Sequence, residues 1–210
     1  MFHITIIAKE PRPGYVKTRL CPPCTPQQAA ELATAALTDT LAAADELADR
    51  IDSSVRRVLL FDGDSSPWIT RGYDIVDQRG DGLAERLSNA FDDLGPGIVI
   101  GMETPHAVAT LHTGLAALRR SCDTIGLAAD GGYWAIGLHR IDPAIFTDIA
   151  MSASHTGLAQ LNRMHQLGRS VHHLPLVRDL DTIDDVAAAA RRTPATALVA
   201  AARSVLATLR

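Results

Sequence analysis

The segment Phe2–Leu20, F-H-I-T-I-I-A-K-E-P-R-P-G-Y-V-K-T-R-L, decides the fold. Its first part, Phe2–Ala8, is apolar and rich in β-branched residues, and it predicts a largely buried first strand. The part that follows, Lys9–Leu20, cannot continue as a helix. Pro11 and Pro13 lack a backbone N–H and Gly14 admits a positive φ, so the chain leaves the strand as an extended, turning loop. That loop carries Lys9, Arg12, Lys17 and Arg19 against the single acid Glu10. Open α/β sheets bind ligands in the crevice beyond the carboxyl ends of their strands, so these cations suit a phosphate-bearing ligand. A solvated basic loop would look the same in sequence.

Outward from this segment, strands alternate with helices. Thr25-Pro26-Gln27-Gln28 reads as an N-cap with proline in the first turn, opening a helix to about Arg50 whose stripe Ala30, Leu37, Leu41, Ala44 and Ala48 faces a core. Arg57–Phe61 and Tyr73–Val76 predict two short strands, giving the βαβ rhythm of a parallel sheet. The glycine-bearing loop Gln78-Arg79-Gly80-Asp81-Gly82 precedes a helix over Leu83–Leu94, and its polar groups suit a base or ribose, although a turn alone would need the same glycines. Gly97–Gly101 is the continuous apolar run of a strand buried on both faces. It ends in Met102-Glu103-Thr104-Pro105, which sets a carboxylate where a divalent cation could bridge phosphates, or where the helix expected over Ala107–Arg120 would favour an acid.

A fifth strand, Thr124–Ala129, runs into Asp130-Gly131-Gly132-Tyr133-Trp134 and a sixth strand ending at Leu138. The glycines would let backbone approach a ligand beside a second acid, but Asp-Gly is equally a hairpin turn. Tyr133 and Trp134 face either an acceptor or the core. The polar loop Ser152–Gly157 leads to a helix over Leu158–Leu167, and a strand over Ser170–Leu174 follows. In Arg178-Asp179-Leu180-Asp181-Thr182-Ile183-Asp184-Asp185 the acids read as capping groups of a helix to about Arg192, or as metal ligands if they approach Glu103. An alanine-rich helix over Ala195–Leu209 closes the chain and could cover a homodimer interface or pack on its own sheet.

Length and composition narrow the class. A chain of 210 residues with 47% hydrophobic and 21% charged residues predicts one globular domain over 1–210. A net charge of −4 speaks against a nucleic-acid polymer as partner, and 4% aromatic content leaves no stacking platform for one. No apolar run approaches a bilayer span and no signal-peptide pattern opens the chain, so a cytoplasmic protein is expected. Cys21, Cys24 and Cys122 form no disulfide framework, and Cys21-Pro-Pro-Cys24 has no second pair to complete a zinc site. There is no G-x-G-x-x-G, no Walker lysine motif and no G-x-S-x-G elbow, which sets aside ordinary dinucleotide, P-loop and serine-hydrolase readings.

Six segments taken together, K-E-P-R-P-G-Y-V-K-T-R-L, Q-R-G-D-G-L-A-E-R-L, G-M-E-T-P, D-G-G-Y-W-A-I-G-L, M-S-A-S-H-T-G and R-D-L-D-T-I-D-D, carry a resemblance. In order and spacing the chain resembles a bacterial glycosyltransferase-like family of the nucleotide-diphospho-sugar transferase (GT-A) superfamily, and is more distantly similar to molybdenum-cofactor and phospholactate guanylyltransferases. The resemblance implies a three-layer α/β/α sandwich with a mostly parallel central sheet. It also implies a transferase that uses Mg²⁺ or Mn²⁺ and a nucleotide sugar, or a nucleoside triphosphate if the chemistry is nucleotidyl transfer with release of pyrophosphate.

Position by position, the resemblance implies that Lys9, Gly14, Lys17 and Arg19 meet the phosphates, and that Gln78, Gly80, Asp81 and Gly82 lie near base or ribose. Gly131, Gly132 and Tyr133 would line the side of a small-molecule acceptor, with Asp130 as a base towards its hydroxyl. Lys17 and Arg19 would stabilise charge on the leaving group. Glu103 and Asp181 would hold the metal. The family turn reads glycine, any residue, aspartate, and this chain has Glu103 at the aspartate position, one methylene longer. A non-catalytic nucleotide-binding protein is the reading that this departure adds.

Overall fold

The computed structural model describes residues 1–51, 55–68, 72–192 and 196–209. Its strands are β1 (His3–Lys9), β2 (Arg56–Asp62), β3 (Tyr73–Asp77), β4 (Gly97–Gly101), β5 (Asp123–Ala128), β6 (Tyr133–Leu138) and β7 (Val171–Val177). They form one sheet in the order β3-β2-β1-β4-β6-β5-β7, in which β6 alone runs antiparallel to its neighbours. The helices among the described residues are α1 (Pro26–Ile51), α2 (Leu83–Leu94), α3 (Leu111–Leu118), α4 (Thr156–Gln166), α5 (Ile183–Ala190) and α6 (Ala197–Thr208).

The apolar strands explain the three layers. Ile98 and Ile100 of β4 face one way, into a core with Leu37 and Leu41 of α1 and Leu111 and Leu115 of α3. Val99 faces the other way, into a core with Leu87 and Phe91 of α2 and Met164 of α4. A period of two along the strand thus feeds both faces of the sheet. A third cluster lies on the outer side of α1, where Ala29, Leu32, Ala35 and Ala36 pack against Val186 and Ala189 of α5 and Leu198, Ala202 and Val205 of α6. The sequence predicts a single core-facing stripe on α1. The second buried face arises because the carboxyl-terminal helices return to it, and its alanines allow that close approach.

Other differences from expectation have local causes. The helix expected over 107–120 begins as a tight 3-10 segment, Pro105–Thr110, in which Thr110 Oγ1 donates to the Ala107 carbonyl at 2.6 Å. Strand β7 extends through Pro175 because it is an edge strand, so the missing N–H removes no ladder bond from a neighbour. Trp134 is a core residue: its indole lies against Gly126, where an added Cβ would be 2.5 Å from the ring, and Nε1 donates to the Pro175 carbonyl at 3.0 Å. At the amino-terminal end of β5, buried Asp123 accepts from His139 N at 2.9 Å and faces the Arg169 guanidinium at 3.5 Å, away from the crevice end of the sheet.

Strand order fixes where a ligand can sit. The chain leaves β1 towards β2 and β3 on one side, then returns to place β4 on the other side of β1. The loops after β1 and β4 therefore diverge and leave a crevice at the carboxyl ends of the strands, the topological switch point of an open α/β sheet. The antiparallel β6 brings the β5–β6 turn to the same edge, and β7 delivers Arg178–Asp185 there as well.

Two predictions follow from the packing. His3 is buried, with Nε2 donating to the Gly95 carbonyl at 3.0 Å and Nδ1 paired with Thr5 Oγ1 at 2.7 Å. Burial, opposed by the Gly95 bond and assisted by Arg56, lowers its pKa from 6.5 to about 4. The folded state thus resists protonation: the contribution is complete above pH 6.5 and is lost as pH falls from there towards 4. Urea denaturation across this range should show the wild type losing on the order of 3 kcal/mol more than His3→Gln; parallel pH profiles would refute it. Gly131 has a φ of +91°, and a Cβ there would lie 1.8 Å from the Ser154 carbonyl oxygen. Gly131→Ala should cost at least about 3 kcal/mol by the same measurement, because the obstruction is backbone and cannot rotate away.

Candidate functional site

The loop after β1 is folded by its own backbone. Arg12 N donates to the Glu10 carbonyl at 2.8 Å and Tyr15 N to the Arg12 carbonyl at 3.1 Å, with Gly14 at φ +81° completing the reversal. Lys17 then adopts a left-handed conformation, φ 50° and ψ 34°, and precedes the 3-10 turn Thr18–Leu20. Leu20 is buried against α1, α5 and α6, so the turn is anchored and the Lys17 side chain points inward. Its ammonium contacts the Glu103 carboxylate and lies 3.1 Å from Asp181 Oδ1, while Arg19 Nη1 donates to Asp181 Oδ2 at 2.9 Å. Burial alone would lower the Lys17 pKa, but Glu103 and Asp181 together outweigh it and hold the ammonium above the ordinary lysine value.

The acids of the β7–α5 segment divide into two roles. Asp185 caps α5 through a reciprocal box with Thr182 and also pairs with Arg178. Burial would raise its pKa, but the bonds from Thr182, Arg178 and Asp181 N hold it below the ordinary carboxylate value. Asp181 faces Lys17. Asp179 faces the same crevice, because alternate residues of an extended segment share a side while Leu180 between them enters the outer core. Asp179 Oδ1 is buried with no hydrogen-bond partner. Burial, then Glu103 and Asp130, with Asp181 adding and Lys17 opposing, raise its pKa to about 7.

These groups border a cleft of about 560 Å³ whose lining includes Lys9, Tyr15, Lys17, Arg19, Gln78, Gly82, Arg86, Glu103, Thr104, Tyr133 and Asp179. That volume suits a nucleotide-sized ligand. Cations stand along the β1 and α2 walls and carboxylates along the β4 and β7 wall. Arg86, on α2, donates from Nη1 to Asp62 Oδ2 at 2.7 Å and to Gln78 Oε1 at 2.9 Å. Gln78 Nε2 in turn donates to the Ala8 and Leu60 carbonyls at 2.7 and 3.1 Å. The Gln78 amide therefore fastens the ends of β1 and β2 and orients Arg86, rather than offering free groups to a base.

Of the loop expected at the base or ribose, Gly82 lines the cleft, whereas Gly80 packs against Glu85 and Asp81 N is held by Glu85 Oε2 at 2.8 Å at the start of α2. Gly131 and Gly132 accommodate the 154–157 loop, with Gly157 N donating to the Gly131 carbonyl at 2.8 Å. Asp130 is exposed, and its Oδ1 accepts from Gly132 N at 2.9 Å. Tyr133 lines the cleft with its hydroxyl near Gln160 Oε1 at 3.5 Å, and burial raises its pKa.

The structure thus brings Lys17, Arg19, Glu103 and Asp181 into direct contact, selects Asp179 from the acids that the sequence offers together over 178–185, and adds Arg86. Both had a signal: Asp179 stands two residues before Asp181, and Arg86 lies inside the quoted Q-R-G-D-G-L-A-E-R-L segment. Among the described residues no group of three or more His, Cys, Asp or Glu side chains stands close enough to hold a metal ion as placed. The Lys17 ammonium takes the position between Glu103 and Asp181. The donor set nevertheless fits a hard cation: all oxygen, several carboxylates, and a buried carboxylate oxygen of Asp179 without a partner. No helix among the described residues is long and apolar enough to cross a membrane.

Comparison with known proteins agrees with this fold. The chain is similar, at 25% identity and a TM-score of 0.83, to a protein of Desulfovibrio desulfuricans G20 provisionally described as a nucleotide-diphospho-sugar transferase, over 100% of this chain and 98% of that one. It shares a fold with Rv0371c of Mycobacterium tuberculosis H37Rv, at 19% identity and a TM-score of 0.53, over 90% of this chain and 97% of that one. It also shares a fold with CMP:2-keto-3-deoxy-manno-octonic acid synthetase, solved with CTP, at 12% identity and a TM-score of 0.50, over 90% and 96%. No curated protein matches the chain. A family profile matches residues 28–153, more than half of the chain, and on that match the protein belongs to DUF2064, a family described as uncharacterized and conserved in bacteria.

Proposed function

We propose that residues 1–210 form one transferase domain that binds a nucleotide-diphospho-sugar in the β1–β4 crevice and passes its sugar to a small-molecule acceptor. The observation that carries this reading is the meeting, at the switch point, of the Lys17 and Arg19 cations with the carboxylates of Glu103, Asp179 and Asp181 beside a nucleotide-sized cleft. A diphosphate needs both signs of charge nearby, cations for its oxygens and acids to hold a counter-ion. Likeness over the whole chain to a protein provisionally described as a nucleotide-diphospho-sugar transferase supports the same reading.

In this reading Lys9, Lys17, Arg19 and Arg86 bind the diphosphate, and Lys17 and Arg19 stabilise the charge that grows on it as the bond to the sugar breaks. Glu103, Asp179 and Asp181 would hold Mg²⁺ or Mn²⁺, which would supply positive charge for a diphosphate leaving group. Base and ribose lie along Gly82 and Leu83, with Gln78 acting through Arg86. The acceptor enters beside Tyr133 and the Gly131-Gly132 turn, and Asp130 takes its hydroxyl proton.

A thermal-shift panel tests this. Nucleoside diphosphates, triphosphates and nucleotide sugars are each added with and without Mn²⁺. At a hundredfold excess over Kd, the matching donor adds about 2.7 kcal/mol and should raise Tm by roughly 5–10 °C. Arg19→Ala should weaken that donor about tenfold. Turnover then releases nucleoside diphosphate if sugar is transferred and pyrophosphate if a nucleotidyl group is. A panel with no shift from any nucleotide would overturn the transferase reading.

A further inference from the structure

Lys17 stands where a metal ion is expected, and it is poorly matched to the position. Its side chain is 2% exposed, whereas Glu103 and Asp181 keep 34% and 25% exposure, so the two acids are partly open to solvent while the lysine between them is not. An ammonium carries one charge and three donors. Here it serves Glu103 and Asp181 and leaves Asp179 Oδ1 without a partner. Thr104, buried beside Glu103 in the cleft lining, also has an unpartnered hydroxyl. The surrounding oxygens thus ask for more positive charge and more contacts than Lys17 supplies.

The choice of residue points the same way. The sequence holds eighteen arginines and two lysines, Lys9 at the end of β1 and Lys17 in the loop after it. A chain that uses arginine for its other cations places here a compact point charge on a flexible stem, which fits between two carboxylates without the fixed fork of a guanidinium. The backbone is unusual here as well: Lys17 sits in a left-handed conformation uncommon for a residue with a Cβ, and a Cβ added at Gly14 would meet no heavy atom within 4 Å.

We propose that the Lys17 ammonium is the resident counter-ion of the Glu103–Asp181 pair and competes with the divalent cation for it, so that cation and polyphosphate load together. The polyphosphate offers Lys17 new anionic partners as the cation takes over the carboxylates, and by linkage each ligand tightens the other. The competition stands on the geometry alone; the coupling rests on the nucleotide reading given above.

Mn²⁺ titrations followed by water-proton relaxation, which separates protein-bound Mn²⁺ from Mn²⁺ held by free polyphosphate, read both parts. With Mn²⁺ alone, K17M should bind at least about tenfold tighter than wild type. R19Q, which removes the same charge from the solvent side of Asp181, should gain less than about threefold. Inorganic pyrophosphate should tighten Mn²⁺ about tenfold on wild type and little on K17M. K17M no tighter than R19Q would overturn the competition. Tightening in K17M with no pyrophosphate effect on either protein would uphold the competition and overturn the coupling, while the nucleotide reading stands or falls separately on the thermal-shift panel. A measurement on the wild type guards against a misfolded variant. With two lysines in the chain, acetylation by acetic anhydride can be assigned by mass spectrometry, and Mg²⁺ should raise labelling of Lys17 relative to Lys9 at least about threefold. Unchanged labelling in saturating Mg²⁺ would overturn the competition.

Discussion

The buried ammonium of Lys17 is the constraint on which the crevice depends. It joins the loop after β1 to the loop after β4 and to the segment between β7 and α5, across sequence separations of 86 and 164 residues. A lysine taken out of water at a cost of several kcal/mol is tolerated only where opposite charge surrounds it. Remove the acids and the ammonium would turn outward. Remove the ammonium and the partly exposed carboxylates of Glu103 and Asp181 would stand beside buried Asp179 with no cation between them. The three loops are therefore not independently placed, and the geometry of each is conditional on the charges of the other two.

The sheet makes that meeting unavoidable. With β1 between β2 and β4, and β5 and β7 running parallel to β4 beyond the reversed β6, the loops that carry charge leave from the same edge. The opposite edge holds a different arrangement, with Asp123 between His139 and Arg169. One edge is closed upon its own charges, with Asp123 Oδ1 bonded to His139 at 2.6 Å and Arg169 held beside it at 3.5 Å. The other presents acids that remain partly exposed, which is what an exchangeable ligand needs.

Much of this was legible in the sequence, and the rest was hidden for identifiable reasons. Leu83–Leu94 and Gly97–Gly101 follow from a glycine before a helix and an unbroken apolar run, signals that local chemistry fixes. The second buried face of α1 was not legible, because alanine is equally at home on a packed or a solvated helix face and only the return of α5 and α6 decides which. The site was legible as residue types and not as roles. The acids at Asp179–Asp185 read alike in a string, and the separation of Asp185 into a cap from Asp179 and Asp181 at the crevice comes from where the strand ends and the helix begins. Gln78 was drawn towards a ligand by its loop, whereas the carbonyls of Ala8 and Leu60, distant in sequence, hold its amide.

The glutamate at 103 gains a physical reason from the same geometry. Its carboxylate must reach an ammonium that approaches from the β1 loop and is already 3.1 Å from Asp181. An aspartate on the same backbone would end one methylene short, and the ammonium would then have to leave Asp181 to meet it. The longer side chain closes that gap, and in the exchange proposed above its additional torsion would let one carboxylate swing between an internal lysine and an incoming ion without moving the β4 backbone. Chemistry at a metal-held diphosphate is sensitive to displacements on the order of 1 Å. Under the proposed exchange, length at this position sets two distances at once, to Lys17 in the free protein and to a cation in the loaded one. A residue matched to both is what a site that exchanges one for the other requires.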